Sequence, residues 1–381
     1  MLLIGIFHSS NKENEKRVPI HPDHIGLIKA EIRRNLFFEK GYSERFGISD
    51  EEFLKKGIGG FLTKNEILKK CDVVLNQKPV AEDLKMMKEG GVLWGWPHCV
   101  QQQEITQNAI DKKLTLIAFE AMHEWNSDGS RKRHIFGKNN EMAGYTGVIH
   151  SMGLTGIDGG NYGRKKKAIV TGSGDVSRGA ILALQARGVE DITVFTRSLQ
   201  KDVKNKISGV EYHQRKFDEE LDCQVSIDEK GEKRPLIDII AESDIVVNGI
   251  LQDMNNPIMF VKEEEIKRLK SGSLIIDVSC DEGTGFTNAK PTSFEDPCFK
   301  IGNATYYAVD HTPTYLWQDA SFENSQEIIQ YLEVVMGGEA KWKENETIKR
   351  SLEIIGGNIQ NLKVLSFQNR ESEYPYRIKG L

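Results

Sequence analysis

The 381-residue chain predicts an α/β protein of two domains, each built on a mostly parallel sheet and joined by hinge helices around a cleft. Three observations lead there. Short apolar runs suited to strands alternate with polar segments of helical period, as in βα units. The alternation restarts near residue 140. The length also exceeds what one ordinary hydrophobic core accommodates.

The elements follow in order. MLLIGIF opens as a buried strand, too short and too soon polar for a signal peptide. CDVVLNQ (71–77), GVLWGW (91–96) and TLIAFE (115–120) are further strands, with NEILKK and EITQNAIDKK as helices between them. EMAGYTGVIHSMGL (141–154) has the spacing of a buried helix, and a basic, glycine-rich turn follows it. KAIVTG (167–172), DITVFTR (191–197), SDIVVNGI (243–250) and GSLIIDVS (272–279) are the strands of the second domain, with VSRGAILALQARG as its first helix. Residues 201–235 are polar and read as surface helix and loop. The last 55 residues read as helical, with QEIIQYLEVVMG the clearest amphipathic run, and are expected to return to the first domain. The expected domains are 1–138 plus 326–381, and 139–325.

Composition narrows the class. No stretch approaches 18 apolar residues, so no membrane span is expected. A net charge of −5 argues against a broad nucleic-acid surface. Cys71, Cys99, Cys223, Cys280 and Cys298 are odd in number and scattered. They point to reduced, mostly buried thiols in a cytoplasmic protein, with no metal site. Trp94, Trp96, Trp125, Trp317 and Trp342 read as packing residues, and His21 and His24 as surface or helix-start residues.

TGSGDVSRGA lies between a predicted strand and a predicted helix, a context that makes a glycine motif informative. Gly172 permits the tight turn and Gly174 lets the backbone approach a pyrophosphate. With Ser173, Asp175 and Val176 they form the mouth of a nucleotide site at a helix N-terminus. The third glycine is Gly179, so the spacing is GxGx4G and not GxGxxG. A turn used only for strand–helix packing is the alternative. At the end of the next strand an NAD site carries a carboxylate; here stand Thr196, Arg197 and Ser198. A guanidinium beside hydroxyls suits a 2′-phosphate, which predicts NADPH over NADH unless Arg197 is only a solvated charge.

In the first domain four polar residues follow strands or lie in a loop beside them: Arg17 in EKRVPIHP, Lys78 in NQKPV, His98 in WGWPH and Glu120 in TLIAFE. Strand C-termini of a parallel sheet line its ligand crevice. Arg can clamp a carboxylate, Lys and His can polarise a carbonyl and relay protons, and Glu can tune them or bind an amine. Singly, each also reads as a solvated charge, a loop residue or a cap. Together they suit chemistry on keto and amino acids.

These segments resemble the superfamily that holds alanine dehydrogenase, the transhydrogenase nucleotide domain and saccharopine dehydrogenase. EKRVPIHP, NQKP, GWPH, NNEMAGYTGV, LIIDVSCDEG and YYAVDHTPTYLWQDAS occur in the family's order, across roughly residues 1–325. The finer resemblance is to the N5-(carboxyethyl)ornithine synthase family, through the GSGxVxxGA turn, Arg197, and SCDEG paired with VDHTP. The resemblance implies two Rossmann-like domains and NADPH coupling of pyruvate to an amino acid's side-chain amine. By position it implies that Arg17 and Lys78 bind the keto acid and that His98 is the acid–base group. Glu120 and Asp281 would hold the amine or tune the pair, with Asp310 and His311 beside the nicotinamide. DHTP stands where alanine dehydrogenases carry an NMP-type segment. It is nearer the saccharopine type, which favours a secondary-amine product.

The resulting expectation is a reductive condensation in a water-excluding site, with Lys78 and His98 relaying protons and with Arg17, Glu120, Asp281 and Asp310 binding substrate. Its partners are a small keto acid and an amino acid, with a homo-oligomer possible on family grounds. The alternatives are an ammonia-using alanine dehydrogenase type, a saccharopine dehydrogenase type with 2-oxoglutarate and lysine, and a non-catalytic nucleotide sensor.

Overall fold

A computed structural model describes residues 1–380 except 204 and 253–256. The chain forms two compact units, Met1–Lys138 with Trp317–Leu381, and Asn139–Leu316. The return to the first unit comes at Trp317, earlier than 326. The helix Trp317–Ile328 already belongs there: Val18 N–H donates to Ser321 Oγ, and Ser325 Oγ lies 2.9 Å from His24 Nδ1.

Among the described residues the first unit holds one eight-stranded sheet. Its order is Asn358–Ile359, Leu352–Ile355, Thr115–Ala118, Val92–Gly95, Val73–Asn76, Ile4–Ile6, Leu36–Glu39 and Gly60–Leu62. The last six strands are parallel. In chain order they read 3-2-1-4-5-6, the doubly wound arrangement whose switch point lies between Ile4–Ile6 and Val73–Asn76. Val73–Asn76, Val92–Gly95 and Thr115–Ala118 are buried throughout, as strands covered on both faces must be. One face packs Ile67, Leu84 and Ile105 from the intervening helices. The other packs Ile328, Leu332, Val335 and Ile348 from the returning segment. The helix Lys64–Lys70 starts where Thr63 and Glu66 form a reciprocal capping box.

The second unit repeats the order 3-2-1-4-5-6 in Glu211–Asp218, Asp191–Thr196, Lys167–Thr171, Ile245–Asn248, Leu274–Asp277 and Ala304–Tyr307. Antiparallel strands extend both edges. Two of these, Cys223–Ile227 and Lys233–Pro235, correct the reading of 201–235, as does Glu211–Asp218 itself. An outlying, half-solvated strand needs few apolar residues, so its polar sequence resembles a loop.

The C-terminal segment needs a similar correction. Leu352–Ile355 and Asn358–Ile359 form a hairpin, not helix. The signal was IIGGNI: Gly356 and Gly357 take φ of +55° and +80°, as a two-residue hairpin turn demands. The amphipathic run 326–337 is broken by a 3-10 turn at Ile329–Tyr331.

His21 caps the turn Pro22–Leu27, whereas His24 is buried. Trp94, Trp96 and Trp342 are buried, and Trp125 and Trp317 lie half-buried beneath Arg350 and Arg45. The five thiols are free; Cys71 and Cys99 are buried and the other three half-buried. No helix among the described residues is long and apolar enough to cross a membrane.

Candidate active site

In the first unit the strand ends bring three of the expected residues together. Lys78 lies just past Val73–Asn76, at the switch point, and His98 just past Val92–Gly95. Lys78 Nζ is 3.0 Å from His98 Nε2. His98 takes φ of +45°, a left-handed conformation uncommon outside glycine, and its N–H donates to Glu120 Oε1 at 2.7 Å. That oxygen also lies 3.8 Å from His98 Nδ1.

Glu120 Oε2 is buried and meets no donor among the described residues. Burial pushes the Glu120 carboxyl up to about 8. The nearby Glu353 charge adds to the rise, while N–H donors and Lys78 oppose it. At neutral pH this site therefore contains a carboxylic acid beside a histidine–lysine contact, an arrangement able to store and move a proton.

Arg17 is buried, and Glu15 grips it by two bonds, Nε at 2.8 Å and Nη2 at 2.5 Å. Its guanidinium lies 5.3 Å from the Trp96 ring centroid. Gln77 Nε2 donates to Val18 O, and Ser10 Oγ donates to Lys78 O, so the Arg17 loop and the Lys78 turn are tied together. Arg17 thus stands in a fixed orientation instead of reaching from a free loop. Sequence reading missed Glu15, which sits two residues from Arg17 in the same EKR motif.

The second unit carries the glycine turn at the end of Lys167–Thr171. Gly172 has φ of +93°, and a Cβ there would meet Ser177 Oγ at 2.9 Å. Gly174 is the N-cap of the helix Asp175–Ala186 and offers no side-chain cap; a Cβ on it would point into open space. Backbone N–H groups of the first turn, from Asp175 and Val176 onward, can therefore face an anion. Gly179 has another role. Its Cβ would lie 1.7 Å from Glu141 O, and one on Gly144 would lie 1.8 Å from Val176 O. The two glycines let the helices Gly137–Leu154 and Asp175–Ala186 touch backbone to backbone.

At the end of Asp191–Thr196, Ser173 Oγ is 3.3 Å from Thr196 Oγ1, which also accepts the Ser198 N–H. Arg197 and Ser198 are exposed. Thr196 pairs with Gln214 in the parallel register, so Arg215 follows in the neighbouring strand as Arg197 does in its own. Arg215 is buried, donates to Gln224 Oε1 and lies over Phe260. No carboxylate pairs with it among the described residues, and burial, then the Arg197 charge, lowers its guanidinium to about 10. Sequence reading missed it by placing 201–235 in surface helix and loop. A positive-φ glycine and an uncapped helix N-terminus, with Arg197 just past one strand and Arg215 within the next, fit the phosphates of a dinucleotide.

Beneath this crevice lies a buried polar network. Asp277 accepts from Tyr306 OH at 2.7 Å and Asn248 Nδ2 at 2.9 Å, and burial raises its carboxyl to about 6. Asn248 Oδ1 accepts from Thr171 Oγ1. Asp281 is half-buried, and burial raises its carboxyl too. Asp310 is exposed and His311 buried with φ of +43°; Asp310 Oδ1 accepts the His311 N–H.

Comparisons with known proteins identify the family. The alanine dehydrogenase/PNT N-terminal domain model matches residues 6–143 and the C-terminal domain model residues 148–362. The chain is 27% identical over 330 residues to N(5)-(carboxyethyl)ornithine synthase of Clostridium botulinum, covering 82% of this chain and 88% of that protein. It is 22% identical over 357 residues to alanine dehydrogenase 1 of Staphylococcus aureus, covering 92% of each. A solved L-alanine dehydrogenase superposes with a TM-score of 0.75 at 17% identity, over 96% of this chain and 99% of that one. With both domains matched in order, the chain belongs to the alanine dehydrogenase/PNT family and is an oxidoreductase using a nicotinamide cofactor.

Proposed function

We propose that the enzyme uses NADPH to join a pyruvate-like 2-keto acid to the amine of an ornithine- or lysine-like amino acid, yielding a secondary-amine dicarboxylic acid. The observation that carries this reading is the 3.0 Å contact of Lys78 with His98, backed by a Glu120 carboxyl raised to about 8. The name of the Clostridium botulinum relative supports the product class.

Arg17, oriented by Glu15, binds the keto acid carboxylate, and Lys78 polarises its carbonyl. The neutral amine attacks the carbonyl carbon. The amine then loses its protons and the former carbonyl oxygen leaves as water, with the Lys78–His98 pair relaying the protons. This leaves a C=N bond. Hydride, which NADPH would supply when bound, would add to its carbon while the Lys78–His98 pair returns one proton to its nitrogen, giving the secondary amine. In the second unit Gly172, Ser173, Gly174, Asp175 and Val176 would hold the pyrophosphate of NADPH. Thr196, Arg197 and Ser198, with Arg215, would hold its 2′-phosphate. Asp281 would bind or tune the amine, and Asp310 and His311 would serve the nicotinamide side.

The test follows NADPH oxidation with pyruvate, glyoxylate, oxaloacetate or 2-oxoglutarate, each paired with ornithine, lysine, alanine or ammonia. Oxidation that needs both a keto acid and an amino acid, with a secondary amine found by mass spectrometry, is the expected result. Turnover with ammonia in place of the amino acid assigns an amino acid dehydrogenase instead; tight NADPH binding with no turnover assigns a sensor.

A further inference from the structure

Leu352–Ile355 runs antiparallel to Thr115–Ala118 with a slip in register: Leu352 lies opposite Ile117, yet Ile354 lies opposite Leu116. Glu353 is the extra residue, the inserted position of a β-bulge. Its neighbours Leu352 and Ile354 enter different apolar clusters on the two sides of the sheet. Glu353 itself is 7% exposed. Its Oε2 accepts from Asn361 Nδ2 at 2.5 Å and from the Cys99 thiol at 3.6 Å.

Cys99 follows His98. One dipeptide therefore holds two carboxyl groups: the His98 N–H donates to Glu120, and the Cys99 thiol donates to Glu353. Glu120 faces Lys78, His98 and Glu353, with the His134 ring at its carbonyl. Glu353 faces Cys99, Asn361, Glu120 and, at longer range, Lys363. Glu353 is buried and Glu120 half-buried with its Oε2 covered, and two such neighbouring carboxyls without a close-paired lysine or arginine do not both ionise readily.

We propose that Glu353 is a positioning residue for the Lys78–His98 pair, placed by the bulge so that it and Glu120 share a single negative charge behind His98. A fully ionised Glu120 would favour His98 as imidazolium; a Glu120 kept neutral by burial and, in addition, by Glu353 leaves His98 able to give up its proton. The kinetic meaning rests on the roles proposed above for Lys78 and His98, but the charge state of the pair does not.

The experiment is a difference-infrared pH titration of the full-length protein with carbon-13-labelled glutamate. Wild type should show a protonated carboxyl band that persists above pH 7 and is absent in Glu120→Gln. In Glu353→Gln that band should titrate lower by about one pH unit or more, and the matching limb of kcat/KM should move with it while NADPH affinity is unchanged. Glu353→Asp withdraws the charge by one methylene, so a smaller shift in the same direction is expected if the glutamine variant does not fold. Coincident titration of wild type and the Glu353 variants, or no protonated band above pH 6 in wild type, overturns the proposal. Absence of turnover with every substrate pair removes the proposed reaction yet leaves the infrared outcome decisive.

Discussion

Lys78 and His98 touch because each lies just beyond a parallel strand, and those strands are neighbours in the sheet. If the pair relays protons, Lys78→Ala and His98→Ala should each lower kcat by about 10²- to 10⁴-fold while leaving NADPH binding unchanged in a fluorescence titration. Near-native turnover in both would remove the assigned roles. Glu120 gives a second prediction, on stability. Its folded carboxyl titrates near 8, above its ordinary range, so the stability linked to its proton is complete at acidic pH and is lost as pH rises through about 8. Glu120→Gln keeps an acceptor for the His98 N–H and cannot ionise. Its thermal midpoint should therefore fall less than that of wild type between pH 5 and 8; parallel curves would contradict the burial argument. Arg197 and Arg215 supply a third. Arg197→Ala should lower the NADPH over NADH preference by about 10- to 100-fold. Arg215→Met removes a buried guanidinium that has no acid partner among the described residues, so apo stability should hold or rise while binding of adenosine 2′,5′-bisphosphate weakens. Equal use of both cofactors by wild type would end the phosphate reading.

At the scale of elements, the contact between the helices Gly137–Leu154 and Asp175–Ala186 depends on what is missing from Gly144 and Gly179. Gly179→Ala puts a methyl into the Glu141 carbonyl, and neither backbone can move without shifting the glycine turn beside it. We expect a loss of about 1–3 kcal/mol or more, read by denaturant unfolding, together with weaker nucleotide binding. The change to alanine at Gly153, where a Cβ meets nothing within 4 Å, serves as the control and should be nearly silent. The GxGx4G spacing becomes intelligible here: the third glycine answers to the neighbouring helix rather than to the phosphate turn. Strand and helix identities in the covered sheets were legible from apolar runs and period. The edges were not, because polar strands such as Glu211–Asp218 take their conformation from the neighbour they pair with.

For the whole molecule, the first unit is discontinuous, and its core includes Ile328, Leu332, Val335, Met336 and Ile348 from the returning chain. A fragment ending at 138 should therefore expose one sheet face and fail to give a cooperative thermal transition. The fragment 139–316 contains both apolar clusters of its own sheet and the whole glycine turn. It should fold and bind adenosine 2′,5′-bisphosphate, and its thermal midpoint should rise with ligand concentration. A folded 1–138, or an unfolded 139–316, would show that the two cores are not partitioned this way.

Sequence by itself determined the α/β class, the restart near residue 140, the glycine turn, and the strand-end positions of Lys78, His98, Glu120 and Arg197. These depend on local patterns, apolar runs and residues just past strands, which survive without knowledge of the fold. Tertiary structure decided the rest. Glu15 grips Arg17, Arg215 comes beside Arg197 through a polar strand, and Glu353 joins Glu120 through a one-residue slip between segments more than 200 positions apart. Register and burial are properties of pairs of segments, and no local pattern within Glu353's own strand encodes which carboxyl it will meet.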